Sequence, residues 1–248
     1  MKALAAGRNR VLDIIHLVKV KGPKRICVGV GRLISQRIAF GLEWASGRVT
    51  EWRLGISTSR HVSTSDLGYR DQGFHEYTPT TYSTIRKLMR ALGPLGPKDV
   101  FIDFGSGKGR VLILAGMYPI GSVIGVELSP LLSAVARKNI QRARQRLHCK
   151  SIEVITMDVT TYQLPSDATI LYFQNPFSGV ILDAVLEKIK SSLVAAPRRI
   201  TMVTNSHTAL AEFEQQIRKR SWLKMVQEID TTGGLKAWLY VNTCWTGR

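Results

Sequence analysis

Cysteine, acidic residues and long apolar runs are all scarce in this chain of 248 residues. Its three cysteines, Cys27, Cys149 and Cys244, are scattered and form no CxxC pair, so neither a disulfide framework nor a zinc site is predicted. No apolar run reaches the roughly 18 residues that a membrane-spanning helix needs, and the first residues lack the apolar core and cleavage site of a secretory signal. These absences predict a protein of the reducing cytoplasm, with no metal site.

The shortage of acidic residues makes the protein strongly basic. Lysine and arginine total 35 against 18 aspartates and glutamates, which gives a net charge of +17 and a pI near 10.2. Such a charge favours contact with polyanions or anionic membrane surfaces, but it carries no information about the fold. A nucleic acid or an anionic surface is therefore one predicted class of partner.

The basic residues are dense in residues 1–50, which hold ten lysines and arginines against two acidic residues. Two short helices are predicted there, at Asn9–Val20 and Arg32–Trp44, because Gly22 and Pro23 interrupt the helical pattern. We interpret residues 1–50 as a basic N-terminal helical extension. Three roles stay open for it: a lid on the main domain, an arm for a membrane surface or a nucleic acid, and an organellar presequence.

Strands and helices alternate after a polar stretch that ends near Thr80. A helix is predicted from about residue 80 to residue 92, and four more alternate with five strands before a final pair of strands joined at residues 231–234. This order predicts a parallel sheet with helices on both faces, and the short last turn predicts an antiparallel hairpin. Residues 51–80 are interpreted as a linker and a covering loop, and residues 81–248 as the α/β domain.

Three glycines, Gly105, Gly107 and Gly109, follow the first predicted strand in the segment VFIDFGSGKGR. A nucleotide-binding GxxxxGK[ST] loop would need glycine at position 102 and serine or threonine at position 109, but the chain has Ile102 and Gly109. The dinucleotide pattern GxGxxG does not fit either. With Asp103 two residues ahead, the pattern is DxGxGxG, a turn where the backbone can approach a ligand because no Cβ intervenes.

Polar side chains also stand at the ends of the next three predicted strands, where open parallel sheets bind their ligands. Glu127 ends the second strand and can accept hydrogen bonds from two ribose hydroxyls. Asp158 follows the third strand and can accept one from an adenine amino group, although aspartate often simply begins a turn. The fourth strand ends in the segment QNPF, residues 174–177.

The glycine turn and these strand ends resemble the class I methyltransferases that use S-adenosylmethionine (SAM). The resemblance implies SAM as cofactor and a Rossmann-like fold: a mostly parallel, seven-stranded sheet with a C-terminal antiparallel hairpin and helices on both faces. It implies that the turn and its aspartate hold the amino-acid end of SAM. The implied cofactor-binding residues are Thr80, Asp103, Gly105, Gly107, Gly109, Glu127, Asp158 and Asn175.

A narrower resemblance covers about residues 75–178. The segments HEYTPTTYSTIRKLMRALGPLGPKDVFIDFGSGKGRVLILAG, IGVELSP and LYFQNPF resemble the non-SET histone lysine methyltransferases of the disruptor-of-telomeric-silencing type. The DxGxGxG turn is shared by very many methyltransferases, so the YTPTT loop is the part that best distinguishes this family from them. By this resemblance Thr80 contacts the methionine end of SAM, Asn175 borders the methyl-transfer channel, and Tyr77 and Tyr82 wall it. The implied substrate is a protein lysine, with these three channel residues in catalytic roles.

The segment after the fourth strand departs from that family. The residues from Gln174 to Phe177 are also similar to the (N/D)PP(Y/F) motif of enzymes that methylate planar amino nitrogens, with one proline absent. In those enzymes the asparagine and a following carbonyl accept hydrogen bonds from the target, and the aromatic ring stacks on it. Pro176 and Phe177 are therefore predicted to bind substrate, and the tetrapeptide does not distinguish a lysine amine from an exocyclic base nitrogen.

Methyl transfer from SAM needs mainly an acceptor nitrogen that is aligned at about 3 Å and shielded from water. A lysine must first lose a proton, which an apolar channel favours. No residue is an obvious general base: Asp71, His75 and Glu76 are candidates only by position, and His207 is interpreted as a helix cap. The favoured prediction is N-methylation of a protein lysine. The alternatives are an N-methyltransferase of nucleic acid or of a small molecule, and a non-catalytic SAM-binding or membrane-peripheral protein.

Overall fold

The structure is a computed structural model that describes residues 41–67, 75–206, 211–232 and 236–243. By its internal contacts the chain divides into two units, Met1–Leu42 and Glu43–Arg248. The predicted helix Asn9–Val20, most of the predicted helix Arg32–Trp44, and the candidates Asp71 and His207 lie outside the described residues. Residues 41–54 form one helix, α1, that crosses the predicted boundary at residue 50. The division into extension, linker and domain stays a prediction.

One sheet of seven strands organises the second unit. The strands are β1 Val100–Phe104, β2 Ser122–Glu127, β3 Ser151–Thr156, β4 Ile170–Phe173, β5 Thr201–Ser206, β6 Leu223–Asp230 and β7 Lys236–Asn242. Their order across the sheet is β3-β2-β1-β4-β5-β7-β6. The first five strands pair in parallel, and β7 is antiparallel to both β5 and β6. The predicted mostly parallel sheet with an antiparallel C-terminal hairpin is confirmed.

In the part of the chain that the structure describes, five more helices connect these strands or flank them. They are α2 Tyr82–Ala91, α3 Arg110–Gly116, α4 Pro130–Ala143, α5 Gly179–Ala195 and α6 Ala211–Arg218. Local sequence explains where two of them begin. The Thr81 hydroxyl accepts a hydrogen bond from the Thr84 amide at the start of α2, and the Ser129 hydroxyl accepts one from the Leu132 amide at the start of α4, so each side chain satisfies a backbone N–H that the helix itself leaves unpaired.

Two apolar cores lie on opposite faces of the sheet. Phe101 of β1 packs in one core with Leu112 of α3, and Ile102 packs in the other with Leu182 of α5 and Ile217 of α6. All five residues of β1 are buried, as expected for a central parallel strand covered on both sides. Helices on both faces of the sheet, predicted from the sequence, are therefore confirmed.

Parallel pairing brings the strand ends with polar side chains together. Asp103 of β1 lies in register with Gly125 of β2 and with Tyr172 of β4. Glu127 at the end of β2 and the residues after Phe173 at the end of β4 consequently meet at the same edge of the sheet. That edge is where an open α/β sheet binds its ligand.

Candidate functional site

The three glycines of the turn between β1 and α3 all have a left-handed backbone. Their φ angles are 82° at Gly105, 54° at Gly107 and 80° at Gly109. A Cβ on Gly105 would lie 2.5 Å from the Cβ of Pro176, and a Cβ on Gly107 would lie 2.2 Å from the ring of Tyr77. Glycine is needed here both for its φ angle and for the close approach of neighbouring chain.

Replacing Gly107 with alanine is expected to destabilise the protein and to weaken SAM binding by tenfold or more. The new Cβ has to displace the Tyr77 ring, in addition to the roughly 1–2 kcal/mol that a left-handed backbone costs a residue with a side chain. Gly55→Ala is the matched control, because Gly55 has a φ of 66° and no atom within 4 Å of the added Cβ. Urea unfolding and calorimetric titration with SAM measure both effects; equal losses in the two variants would show that the contact with Tyr77 is unimportant.

A cavity at the carboxyl ends of β1, β2 and β4 collects most of the predicted site residues. The structure brings to its lining Tyr77, Thr80, Asp103, Gly105, Gly107, Glu127, Asn175, Pro176 and Phe177. Apolar side chains complete the wall, among them Leu132, Met157 and Val159. A mostly apolar recess with a few convergent polar groups is the usual form of a small-ligand site.

Three predicted site residues lie outside that lining. Gly109 precedes α3 and faces Ala136 of α4. The Asp158 carboxylate accepts hydrogen bonds from the Thr160 amide at 2.8 Å and the Thr160 hydroxyl at 2.7 Å, so it forms a turn. Tyr82 is 1% exposed, and its hydroxyl lies 3.2 Å from the Thr58 hydroxyl. A channel wall at Tyr82 and an adenine contact at Asp158 therefore have no support in this geometry.

Two buried carboxylates lie beneath the glycine turn. Glu127 accepts a hydrogen bond from the Gly107 amide at 2.7 Å and another from the Ser129 amide at 2.9 Å, which holds the turn in place. Burial raises the pKa of Asp103 well above its ordinary value, and the nearby Glu127 carboxylate raises it further. Burial also raises the pKa of Glu127, against the lowering effect of its backbone hydrogen bonds. Two such acids in one cavity suit a ligand that carries positive charge.

Asn175, another residue of the cavity lining, has an unpaired amide atom. It has a left-handed φ of 42°, and its Nδ2 lies 2.7 Å from Nδ1 of His75. The same His75 nitrogen lies 2.9 Å from the Asn175 carbonyl oxygen. Oδ1 of Asn175 is buried and has no hydrogen-bond partner among the described residues. A buried acceptor without a partner is costly, so this atom fits a role in ligand binding.

Two tyrosines of the lining act as protonated hydrogen-bonding groups. The Tyr77 hydroxyl donates to the Thr58 carbonyl oxygen at 2.8 Å, and Tyr172, which the sequence analysis did not single out, has its hydroxyl 3.0 Å from the Thr80 hydroxyl. Burial raises the pKa of both tyrosines, so neither is a general base at neutral pH. The ring of Tyr77 therefore covers the glycine turn while its hydroxyl points to residue 58.

Arg110 is a further residue that the sequence analysis missed. Its guanidinium is buried and donates to the Thr80 carbonyl oxygen at 2.7 Å and to the Thr58 hydroxyl at 2.7 Å. It pairs with Glu51 of α1 at 3.2 Å and lies 4.3 Å from the ring centroid of Tyr82. Arg110 thus joins α1 and residue 58 to the loop that carries Thr80. Its position at the start of an apolar helix was visible in the sequence, but its partners were not.

Asn139 of α4 supports the glycine turn from behind. Its Nδ2 donates to the Lys108 carbonyl oxygen at 3.0 Å and to the Ser57 carbonyl oxygen at 3.1 Å. Among the described residues, no group of three or more histidine, cysteine, aspartate or glutamate side chains is placed to hold a metal ion. No described helix is long and apolar enough to cross a membrane.

Comparison with known proteins bears on the fold and on the family resemblance. The family model described as histone methylation protein DOT1 matches residues 64–182, and no curated protein sequence matches the chain. The yhhF structure of Escherichia coli, assigned as a methyltransferase, has a TM-score of 0.51 and 15% identity, and the match covers 66% of this chain and 86% of that one. It confirms the predicted fold, and the family match confirms the resemblance to DOT1-type enzymes.

Two other similar structures have lower scores. An RNA methyltransferase from Salinibacter ruber, in complex with S-adenosyl-L-homocysteine, has a TM-score of 0.48 and 20% identity, and the match covers 69% of this chain and 97% of that one. A geranyl diphosphate C-methyltransferase from Streptomyces coelicolor has a TM-score of 0.47 and 14% identity, with 64% and 78% covered.

Proposed function

We propose that this class I SAM-dependent methyltransferase, which resembles the DOT1 enzymes, transfers a methyl group to the side-chain nitrogen of a protein lysine. One observation carries the choice of substrate. The segment that matches the histone methylation family, residues 64–182, contains every described residue that lines the cavity. The similarity therefore covers the site itself as well as the surrounding fold.

The residues of the cavity fit SAM. Two of the left-handed glycines, Gly105 and Gly107, line the cavity, and the two buried acids suit a ligand with positive charge. Asp103 and Thr80 would hold the amino-acid end, and Glu127 would hold the ribose. When bound, SAM supplies a methyl group on a cationic sulfonium, which the acceptor nitrogen takes up as the carbon–sulfur bond breaks.

Other residues of the same cavity would prepare the lysine. Apolar side chains such as Leu67 and Leu132 line the cavity, and burial in such surroundings favours the neutral amine over the ammonium. The unpaired amide of Asn175 would then accept a hydrogen bond from the amine through Oδ1, and so direct its lone pair. His75 would act as a positioning residue, because its ring contacts both the side chain and the carbonyl of Asn175.

Two contacts weigh against a planar amino nitrogen of a base. The Pro176 carbonyl oxygen already accepts a hydrogen bond from the His75 amide at 3.2 Å. The Phe177 ring is 2% exposed and packs edge-on against Phe173 at 6.2 Å between centroids. The two groups that would hold and stack on a base are thus engaged within the protein, which favours a lysine amine.

Replacing Asn175 with glycine is expected to lower kcat at least tenfold while the affinity for SAM changes little. Glycine adopts a positive φ without strain, so the variant removes the amide without a backbone penalty. Loss of alignment of the acceptor nitrogen is the reason for the slower transfer. Single-turnover kinetics and calorimetry measure the two quantities, and an unchanged kcat would exclude Asn175 from the acceptor site.

The proposal is tested by incubating the protein with methyl-labelled SAM and either purified core histones or a whole-cell extract. We expect protease, but not nuclease, to remove the label. We also expect methyl-lysine in the acid hydrolysate of the labelled protein. If only nuclease removes the label, or if the label appears only in small molecules, the protein is a methyltransferase but its substrate is not a protein.

A further inference from the structure

The outward side of α1 carries large apolar side chains. Trp44 is 63% exposed, Val49 is 49% exposed and Trp52 is 82% exposed. Val49 and Trp52 are three residues apart and so lie on the same side of the helix, whereas Glu51 between them in sequence is buried. A strongly exposed tryptophan beside an exposed valine is the kind of apolar surface that interaction sites present.

A positively charged recess of about 780 Å³ adjoins this side of the helix. Trp52 lines the recess, so the exposed side chains of Val49 and Trp52 and the recess form one continuous surface. Arginines from three separate elements line the recess: Arg53 of α1, Arg86 of α2, and Arg146 of the 3₁₀ helix Arg144–Arg146. His148 adds a fourth basic side chain, and no acidic side chain is among the described lining residues.

These arginines have no counter-ion in the part of the chain that the structure describes. None of the ion pairs found there includes Arg53, Arg86 or Arg146. Cations that converge on one recess repel each other, and an anionic partner removes that repulsion. The recess therefore fits a surface that presents several phosphates.

We propose that the surface formed by Val49, Trp52 and the recess docks the protein on an anionic phospholipid membrane. Tryptophan is favoured at the level of lipid headgroups, and an aliphatic side chain beside it finds a partner in the upper acyl region. The arginines would contact headgroup phosphates in the recess. A nucleic acid offers phosphates and stacking bases but no partner for Val49, so the aliphatic component favours the membrane.

This surface is separate from the cavity that holds the proposed methyl-transfer site. No residue lines both of them. Variants of the docking surface should therefore leave SAM binding and methyl transfer to a soluble substrate unchanged. Failure of the docking proposal and failure of the proposed function are distinguishable for that reason.

The test is co-sedimentation of the full chain with phosphatidylcholine vesicles that either contain or lack phosphatidylserine. We expect binding only to the anionic vesicles, and weaker binding as salt is raised. The variant R53Q/R86Q/R146Q should bind on the order of 100-fold more weakly, because each basic residue near such a surface contributes roughly a factor of five. K190Q/K219Q/K224Q is the matched control: it removes the same charge from exposed positions elsewhere and should lose much less.

A second test variant, with its own control, examines the apolar side chains of the docking surface. V49S/W52S should bind anionic vesicles at least tenfold more weakly, while V180S/V194S, which alters two residues exposed to 82% and 75%, should bind as the parent does. Equal losses in the two triple variants would mean that only net charge acts, and would overturn the proposal. Normal vesicle binding by R53Q/R86Q/R146Q would also overturn the proposal. The same holds if this variant loses only its binding to duplex RNA or DNA in a gel-shift assay.

Discussion

Replacing Asp103 with asparagine is expected to raise the melting temperature of the free protein at neutral pH and to weaken SAM binding by up to about 100-fold. The loss of affinity follows from the removal of a charged hydrogen-bond acceptor for the cationic end of the cofactor, an interaction that contributes about 1.5–3 kcal/mol. The gain in stability follows because the buried carboxylate is unfavourable in the free protein.

The pH dependence has a definite sign. Burial and then Glu127 raise the pKa of Asp103 in the folded state, while the unfolded chain holds it at an ordinary carboxyl pKa. The folded state therefore binds more protons than the unfolded state between those two values, and stability falls as pH rises through that window. The parent and Asp103→Asn should have similar stability below the window, and the variant should be the more stable above it.

Binding of SAM should show the complementary trend. The cationic cofactor prefers ionised Asp103, so its affinity for the parent should rise as pH rises through the raised pKa of Asp103. The variant should lack that dependence. Calorimetry across a pH series and thermal unfolding measure both effects, with the exposed Asp167→Asn as control. A variant that is less stable than the parent at neutral pH, or that binds SAM normally, would contradict the assignment of Asp103.

Replacing Glu51 with glutamine or Arg110 with methionine is expected to destabilise the protein by about 3–5 kcal/mol. The two side chains form a buried pair at 3.2 Å, with 6% and 7% exposure, and removal of one partner leaves the other charge uncompensated. Burial raises the pKa of Glu51, but the hydrogen bonds of Thr58 and Ser59 and the charge of Arg110 outweigh it and lower the pKa overall. The contribution of Glu51 is therefore present at neutral pH and is lost in acid.

A double-mutant cycle separates this pair from simple loss of packing. The combined variant should cost less than the sum of the two single variants, because neither buried charge is then left without its partner. Glu187→Gln is the control, since Glu187 pairs with Arg220 at a more exposed site, and it should cost less than about 1 kcal/mol. Additive losses in urea unfolding would show that the two residues do not interact.

The single variants should also affect the site. Arg110 donates to the Thr80 carbonyl oxygen and to residues 58 and 59, so its loss frees the loop that covers the cavity. We expect SAM to bind Arg110→Met more weakly even at temperatures where the variant is folded. Glu187→Gln should bind SAM as the parent does.

Most of the fold and the cofactor side of the site could be predicted because they depend on local pattern. Apolar runs of strand length alternate with helical periods, and the parallel sheet then forces Asp103 and Glu127 to one edge. The glycine turn is readable because the backbone conformation itself requires glycine at three alternate positions. Each of these features is contained in a few consecutive residues.

The rest of the site and of the strand order depends on contacts between residues that are far apart in the sequence. The spacing of residues within a motif does not reveal such contacts. His75 and Asn175 are 100 positions apart, and Glu51 and Arg110 are 59 apart. The same limit applies to β7, which lies between β5 and β6 although β6 comes first in the chain. The family resemblance implies a channel wall at Tyr82, but the first turn of α2 directs its side chain toward Thr58 instead.

The most direct test of the account is a crystal structure of the protein with S-adenosyl-L-homocysteine. We predict the ligand in the cavity at the ends of β1, β2 and β4, with its ribose hydroxyls on Glu127, its amino-acid end near Asp103 and the glycine turn, and its sulfur directed toward Asn175. A ligand bound elsewhere, or a cavity that stays closed by Tyr77 while the protein still transfers methyl groups, would contradict it.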